Sequence, residues 1–481
     1  MIQRIKNKMQ NVPEGVKASI AYTVCSVLQR CLSLITMPLF TRILSTEQYG
    51  QFSIYQSWSA ILTLFITLNL AFGSFSTAMV KFEDDRKGYV AAVQNIAVAL
   101  TAAFFVLYLP FRGYWNQWFE LPTPMVCLMV VEILMNFAMA CWYALQRFTY
   151  RYKRVVAVTL LMTILSPIAA YILVVNSQER GYARIVGCAA VNILFGACIF
   201  VHASIAGKGG WNKKYWKYAL SFNIPLIPYY LSQVVFNQSD RIMISHICGT
   251  DKAGMYGVAY TLGTILLFVM NAINNSYVPW FYNKIKQGRG EENKKMATGI
   301  ALLLSFLLLG VIALAPEVIM ILAGEPYYDA IWVVPPVTMS LLLLFYSQLF
   351  INVEFYYEEK KMLVWGSIGA ALLNIVLNAW LIPIFGFTAA GYTTLASYVA
   401  FAFSNYCTMK YVCKKKNFSC DYYDVKILIL ICVVFSALSM LAMSLYKNLY
   451  VRYGIVALTL LMLAVFYKKV IALVKYVISR K

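Results

Sequence analysis

The sequence predicts an all-α integral membrane protein of about 14 transmembrane helices, arranged as two pseudo-symmetric six-helix lobes plus two C-terminal helices. Three observations carry that prediction. Hydrophobic residues make up 61% of the 481 and charged residues only 13%, with a mean hydropathy of +0.67, against roughly 45–50% and about 25% in soluble domains. Apolar runs of about 20 residues, long enough to span a bilayer as helices, recur along the whole chain. Finally, Thr46-Glu47-Gln48-Tyr49-Gly50-Gln51-Phe52-Ser53-Ile54 lies over Thr250-Asp251-Lys252-Ala253-Gly254-Met255-Tyr256-Gly257-Val258 at a shift of 204 positions.

The spans fall near 19–40, 51–73, 88–110, 123–145, 154–176, 182–204, 216–238, 253–276, 297–322, 330–353, 362–382, 387–411, 425–446 and 450–471. Lys and Arg in the connections test the order, since cytoplasmic loops carry the excess. With both termini inside, 32 of the 41 basic residues fall on the cytoplasmic side. Eight, Arg184 and Arg241 among them, fall outside, and Arg30 lies within the first span. The net charge of +21 is therefore a topology signal. A nucleic-acid surface would gather these residues on one folded face.

The repeat lays spans 1 and 2 over spans 7 and 8. An even offset makes the two halves parallel, with a site at their interface. The expected division is a cytoplasmic leader at 1–18, an N-lobe at 19–207, a C-lobe at 208–411, and two additional helices with a cytoplasmic tail at 412–481. No loop reaches about 30 residues, and Gly207-Lys208-Gly209-Gly210 lacks the spacing of a phosphate-binding loop. The expectation is a non-enzyme without cofactor or metal. His202 and His246 are too few for a histidine-based metal site, and the 11 cysteines include no C-x-x-C and read mostly as small buried hydrophobes.

Arg30 sits 11 residues into the first span, near the midplane, where a charge is expensive and normally faces the bundle interior or a wet cavity. Ser19, Thr23, Ser26 and Ser33 share its face. Arg30 is read either as an anion-binding group or as the partner of Glu132 in a buried ion pair, roles that are compatible; Glu132 is also the deep acid available for coupling. Span 7 opens with Asn223-Ile224-Pro225-Leu226-Ile227-Pro228, whose prolines Pro225 and Pro228 bend or break a helix. Beyond them Tyr229, Gln233, Asn237 and Arg241 recur every four residues, a polar stripe that either meets substrate or ties helices together. Asp240 and Arg241 face the path or form an interfacial salt bridge. Asn271 and Asn275 share a face of span 8. Gly50 and Gly254 read as close-packing points, Glu317 and Glu354 as interfacial residues of little weight, and the 35 tyrosines in part as interface belts.

These segments resemble the polysaccharide or O-antigen flippase family of the multidrug/oligosaccharidyl-lipid/polysaccharide exporter superfamily. The likeness is carried by Arg42-Ile43-Leu44-Ser45 through Gly50, by Asn223 to Pro228, by Ser239-Asp240-Arg241 through Ala259, and by Gly386-Phe387-Thr388-Ala389-Ala390-Gly391. The resemblance implies a bacterial inner-membrane flippase for undecaprenyl-diphosphate-linked oligosaccharide, working by alternating access in surface polysaccharide (O-antigen or capsule) biosynthesis. It also implies membrane lipids, a polysaccharide polymerase and chain-length machinery as partners. Related lipid II flippases have a cationic central cavity, which Arg30 matches; Asn271 stands where they place a basic residue, leaving the implied cavity here less positive. Two rival readings are a drug or cation antiporter of the same superfamily, which needs a coupling acid such as Glu132, and a membrane glycosyltransferase or polymerase.

Overall fold

The computed structural model describes residues 14–149, 151–358, 361–416, 421–448, 450, 451, 453, 454, 457 and 461. Most of the expected leader and of the fourteenth span, and the tail after it, lie outside the described residues. The helices are α1 Glu14–Ile43, α2 Thr46–Thr67, α3 Phe75–Lys81, α4 Arg86–Tyr108, α5 Arg112–Phe119, α6 Thr123–Phe148, α7 Tyr152–Val175, α8 Arg180–Ala206, α9 Lys213–Asn223, α10 Ile227–Cys248, α11 Thr250–Gly263, α12 Leu267–Lys286, α13 Glu292–Ala313, α14 Ala315–Leu322, α15 Val334–Tyr356, α16 Lys361–Phe385, α17 Ala389–Lys415 and α18 Val425–Ser444.

Among the described residues, 11 helical stretches are long and apolar enough to cross a membrane. Two further long helices, α2 and α17, coincide with expected spans but are less apolar. Both carry many Ser, Thr, Gln or Asn residues, and much of each is covered by protein. A helix screened from lipid can carry such residues at little cost.

Three expected spans are interrupted. The seventh breaks at the 3₁₀ turn Ile224–Leu226, where Pro225 and Pro228 remove backbone donors. The eighth is divided at Thr264–Leu266 without a proline, and the ninth at Leu314, two residues before Pro316. The 204-residue repeat is visible in the backbone, because α2 and α11 begin at the matched threonines Thr46 and Thr250. Their caps differ. Ser45 and Gln48 form a reciprocal capping box at 3.2 Å each way, whereas α11 follows Gly249 at φ +104°, a conformation that favours glycine.

The chain divides into two compact units, one up to Gln238 and one from Ser239, the division falling within α10. In the first unit α8 is the central packing helix. A Cβ added at Gly187 would strike the backbone of Ala170 in α7, and one at Gly196 would come within 2.7 Å of the Met135 carbonyl oxygen in α6, so small residues set these close crossings. In the second unit α15 is almost wholly enclosed, and α18 is tied in by tyrosines: Tyr346 donates to the Leu428 carbonyl at 3.0 Å, and Tyr423, just before α18, to that of Leu349 at 2.7 Å. These tyrosines are cross-ties and not interface anchors.

Arg184 corrects the loop count. It is only 7% exposed and lies in the second turn of α8. Its guanidinium sits 4.5 Å from the ring of Phe40, 4.5 Å from Tyr49 and 3.9 Å from Phe52. Negative ring faces compensate the buried cation, pinning α1 and the start of α2 to α8. Arg184→Ala is expected to remove about 2 kcal/mol of packing and lower the unfolding temperature in detergent, with Arg184→Lys intermediate. An unchanged melting curve for the alanine variant contradicts this role.

Candidate functional site

In the second unit the site is built around Asp240, on α10. Its side chain is 1% exposed, and a carboxylate so placed is costly unless hydrogen-bonded. Three donors from three other helices meet it: Tyr256 Oη of α11 at 2.6 Å on Oδ2, Thr394 Oγ1 of α17 at 2.7 Å on the same oxygen, and Asn378 Nδ2 of α16 at 2.6 Å on Oδ1. Further hydrogen bonds hold Asn378 in place. Thr393 donates to Asn378 Oδ1, Asn378 Nδ2 also reaches Asn374 Oδ1 at 3.2 Å, and Ser239 Oγ donates to the same Asn374 oxygen at 3.1 Å. The exposure to a path expected for Asp240 is not what this structure has. Arg241, beside it, lies 4.8 Å from the Tyr260 ring.

The first unit has an analogous arrangement. Glu132, 8% exposed on α6, accepts from Tyr55 Oη of α2 at 2.6 Å and from Asn192 Nδ2 of α8 at 2.8 Å, one donor per carboxylate oxygen. The ion pair with Arg30 is not formed; both oxygens accept from neutral donors instead. Asn192 also lines a cavity of about 370 Å³ with Gln29, Tyr143, Arg147, Thr163 and Ser166. Gln29 Nε2 reaches Thr163 Oγ1 at 3.4 Å. Thus Gln29, and not its neighbour Arg30, is the α1 residue that enters this chamber.

Arg30 is exposed on α1, and among the described residues it forms no ion pair. Thr23, Ser26 and Ser33 on its face are also exposed; the side chain of Ser19 lies outside the described residues. On α10, Tyr229, Gln233, Asn237 and Arg241 are all half-buried, and Asn237 Nδ2 is used within the helix, on the Gln233 carbonyl at 2.7 Å. Asn271 and Asn275 are both exposed on α12, while Asn274 between them accepts from Asn352 at 3.0 Å. At the proline break, Asn223 is fully buried and donates to Ser74 Oγ and to the Ala219 carbonyl, each at 2.8 Å. The break is therefore anchored on its N-terminal side.

Sequence reasoning missed the partners of both acids, Tyr55, Asn192, Tyr256, Asn378 and Thr394, and Asn374 behind them. A signal was present for some of them. Asn374 and Asn378 recur at i, i+4 in an otherwise apolar span, as a buried polar face would. Glu354 lies near the end of its helix, as expected, but carries more weight than the sequence suggested. It is fully buried on α15, and neither carboxylate oxygen has a donor among the described residues.

Comparison with known proteins agrees with this architecture. The family model described as polysaccharide biosynthesis protein matches residues 16–284. A Haemophilus influenzae protein of the Lsg locus is 23% identical over 377 residues, 75% of this chain and 89% of that one. Among solved structures, the lipid II flippase MurJ in an inward closed conformation superposes with a TM-score of 0.69 at 14% identity, covering 94% of this chain and 100% of that one. An inward-facing multidrug resistance MATE family transporter of the MOP superfamily gives 0.60 at 13% identity, over 82% and 99%. Since the family model spans more than half of its length, this chain belongs to the polysaccharide biosynthesis protein family, and it has the fold shared by that flippase and that transporter.

Proposed function

We propose that this protein is a flippase that translocates undecaprenyl-diphosphate-linked oligosaccharide repeat units across the bacterial inner membrane by alternating access, for surface polysaccharides such as O-antigen or capsule. The family supports the polysaccharide connection, and the fold supports a membrane transporter rather than an enzyme. The observation that carries the reading is Arg30: a mid-span cation left exposed and, among the described residues, without an ion pair, while Glu132 accepts from neutral donors. In hydrocarbon such a charge is costly, and a diphosphate is the anion that would offset it, through charge-assisted and bidentate hydrogen bonds.

In this account the lobes, 19–207 and 208–411, rock about the site, with residues 412–481 as two added helices and a tail, and with both termini cytoplasmic. Pro225 and Pro228 form the flexing element. Arg30 holds the diphosphate, and sugars meet Tyr229, Gln233, Asn237, Arg241, Asn271 and Asn275. Asp240 and Glu132, buried acids held by neutral donors, couple an ion or proton to the rocking. Membrane lipids, a polymerase and chain-length machinery complete the partners. The drug or cation antiporter remains a second reading, favoured by those two acids and the MATE-like fold; transport of a small cation abolished by Glu132→Gln, with polysaccharide output untouched, distinguishes it.

Arg30→Lys is expected to retain part of the surface-polysaccharide output and Arg30→Ala to lose it at normal protein level; full output from the alanine variant refutes the diphosphate role. Asp240→Asn keeps a hydrogen-bonding side chain of the same shape but removes the charge. Output is expected to fall about tenfold or more while the protein still accumulates and melts near the wild-type temperature. Unchanged output would assign Asp240 a purely structural role.

A further inference from the structure

The second unit contains a cavity apart from the Asp240 network. It has a volume of about 730 Å³ and is bounded by Glu317, Glu325, Tyr328, Tyr446, Lys447 and Tyr453, within the roughly 300–1,000 Å³ typical of small-molecule sites. The fold builds it deliberately. After α13 the chain turns twice, through α14 and then, at Gly324 with φ +85°, into the 3₁₀ helix Glu325–Trp332. Tyr446, following α18, is fixed against this corner: its hydroxyl donates to the Ile312 carbonyl at 2.9 Å, and its ring lies 5.6 Å from that of Trp332. Its hydroxyl is thus engaged.

The lining chemistry discriminates among ligands. An apolar molecule would strand the Glu325 carboxylate and the Lys447 ammonium. An anion such as a phosphate would meet like charge from Glu317 and Glu325. A tightly held metal is disfavoured, as no group of three or more His, Cys, Asp or Glu is gathered for one among the described residues. A hydroxyl-rich ring fits all three features: carboxylates accept its O–H donors, Lys447 donates to its oxygens, and tyrosine faces pack on its C–H surface.

We infer that this cavity is a binding subsite for neutral or amino sugars, at the end of the second unit that the charge bias places outside the cytoplasm. The inference rests on the translocation reading for its purpose, which is to hold the glycan after it crosses and apart from the diphosphate site. Binding itself is a separate property and can be measured without transport.

The test is saturation-transfer NMR on the full chain in nanodiscs, with glucose, galactose, N-acetylglucosamine, glucosamine and glucuronate as probes. At least one neutral or amino sugar is expected to receive saturation, and glucuronate far less. The double substitution Glu325→Gln with Tyr328→Ala is expected to reduce that transfer about tenfold. Because the double variant could fold poorly, Glu325→Gln alone, checked by its melting curve, should give a smaller loss in the same direction. No transfer above empty nanodiscs, undiminished transfer to both variants, or equal transfer to glucuronate overturns the inference. A wild-type protein that translocates lipid-linked oligosaccharide yet binds none of these sugars overturns it while leaving the translocation reading intact.

Discussion

A carboxylate buried in a membrane protein is costly unless donors meet it, and among the described residues Asp240 and Glu132 have them while Glu354 does not. That constraint shapes both units of this molecule. Asp240 takes its three donors from α11, α16 and α17, so four helices, including its own α10, are held to one point. Glu132 does the same for α2, α6 and α8 with Tyr55 and Asn192. In each unit a tyrosine from the helix that carries the 204-residue repeat is one of the donors. The two hydroxyls come from positions that the repeat does not match, since at the 204-residue shift Tyr55 lies over Ala259 and Tyr256 over Phe52.

Against these satisfied acids, Arg30 stands out. It is a permanent charge whose guanidinium cannot be neutralised by losing a proton, and the obvious internal partner is occupied. The same logic separates Arg30 from Arg184, an equally charged residue that is buried and compensated by three aromatic faces. One cation is structural because its environment answers its charge. The other is exposed and, among the described residues, forms no ion pair.

Hydropathy made the helices legible, because backbone satisfaction in lipid forces long apolar segments. It counts residues without recording which way they point, and the site was hidden for that reason. Tyr55 and Tyr256 were two among 35 tyrosines, and belts explained them adequately until their hydroxyls were placed. Arg184 sits only four residues after its helix begins, so it read as a loop residue; its ring partners lie more than 130 positions earlier. Pro225 and Pro228 announced their break. The division at Thr264–Leu266 has no proline and only a weak signal in the sequence, Gly263 at the end of α11 and Thr264 after it.

The central claim is that this chain moves a lipid-linked oligosaccharide rather than making or polymerising one. The most direct measurement is a leaflet-resolved assay of lipid-linked oligosaccharide in a deletion strain. The account predicts that substrate accumulates in the cytoplasmic leaflet without this protein and appears in the outer leaflet when it is restored. An unchanged leaflet distribution, or loss of the lipid-linked oligosaccharide itself on deletion, would contradict it.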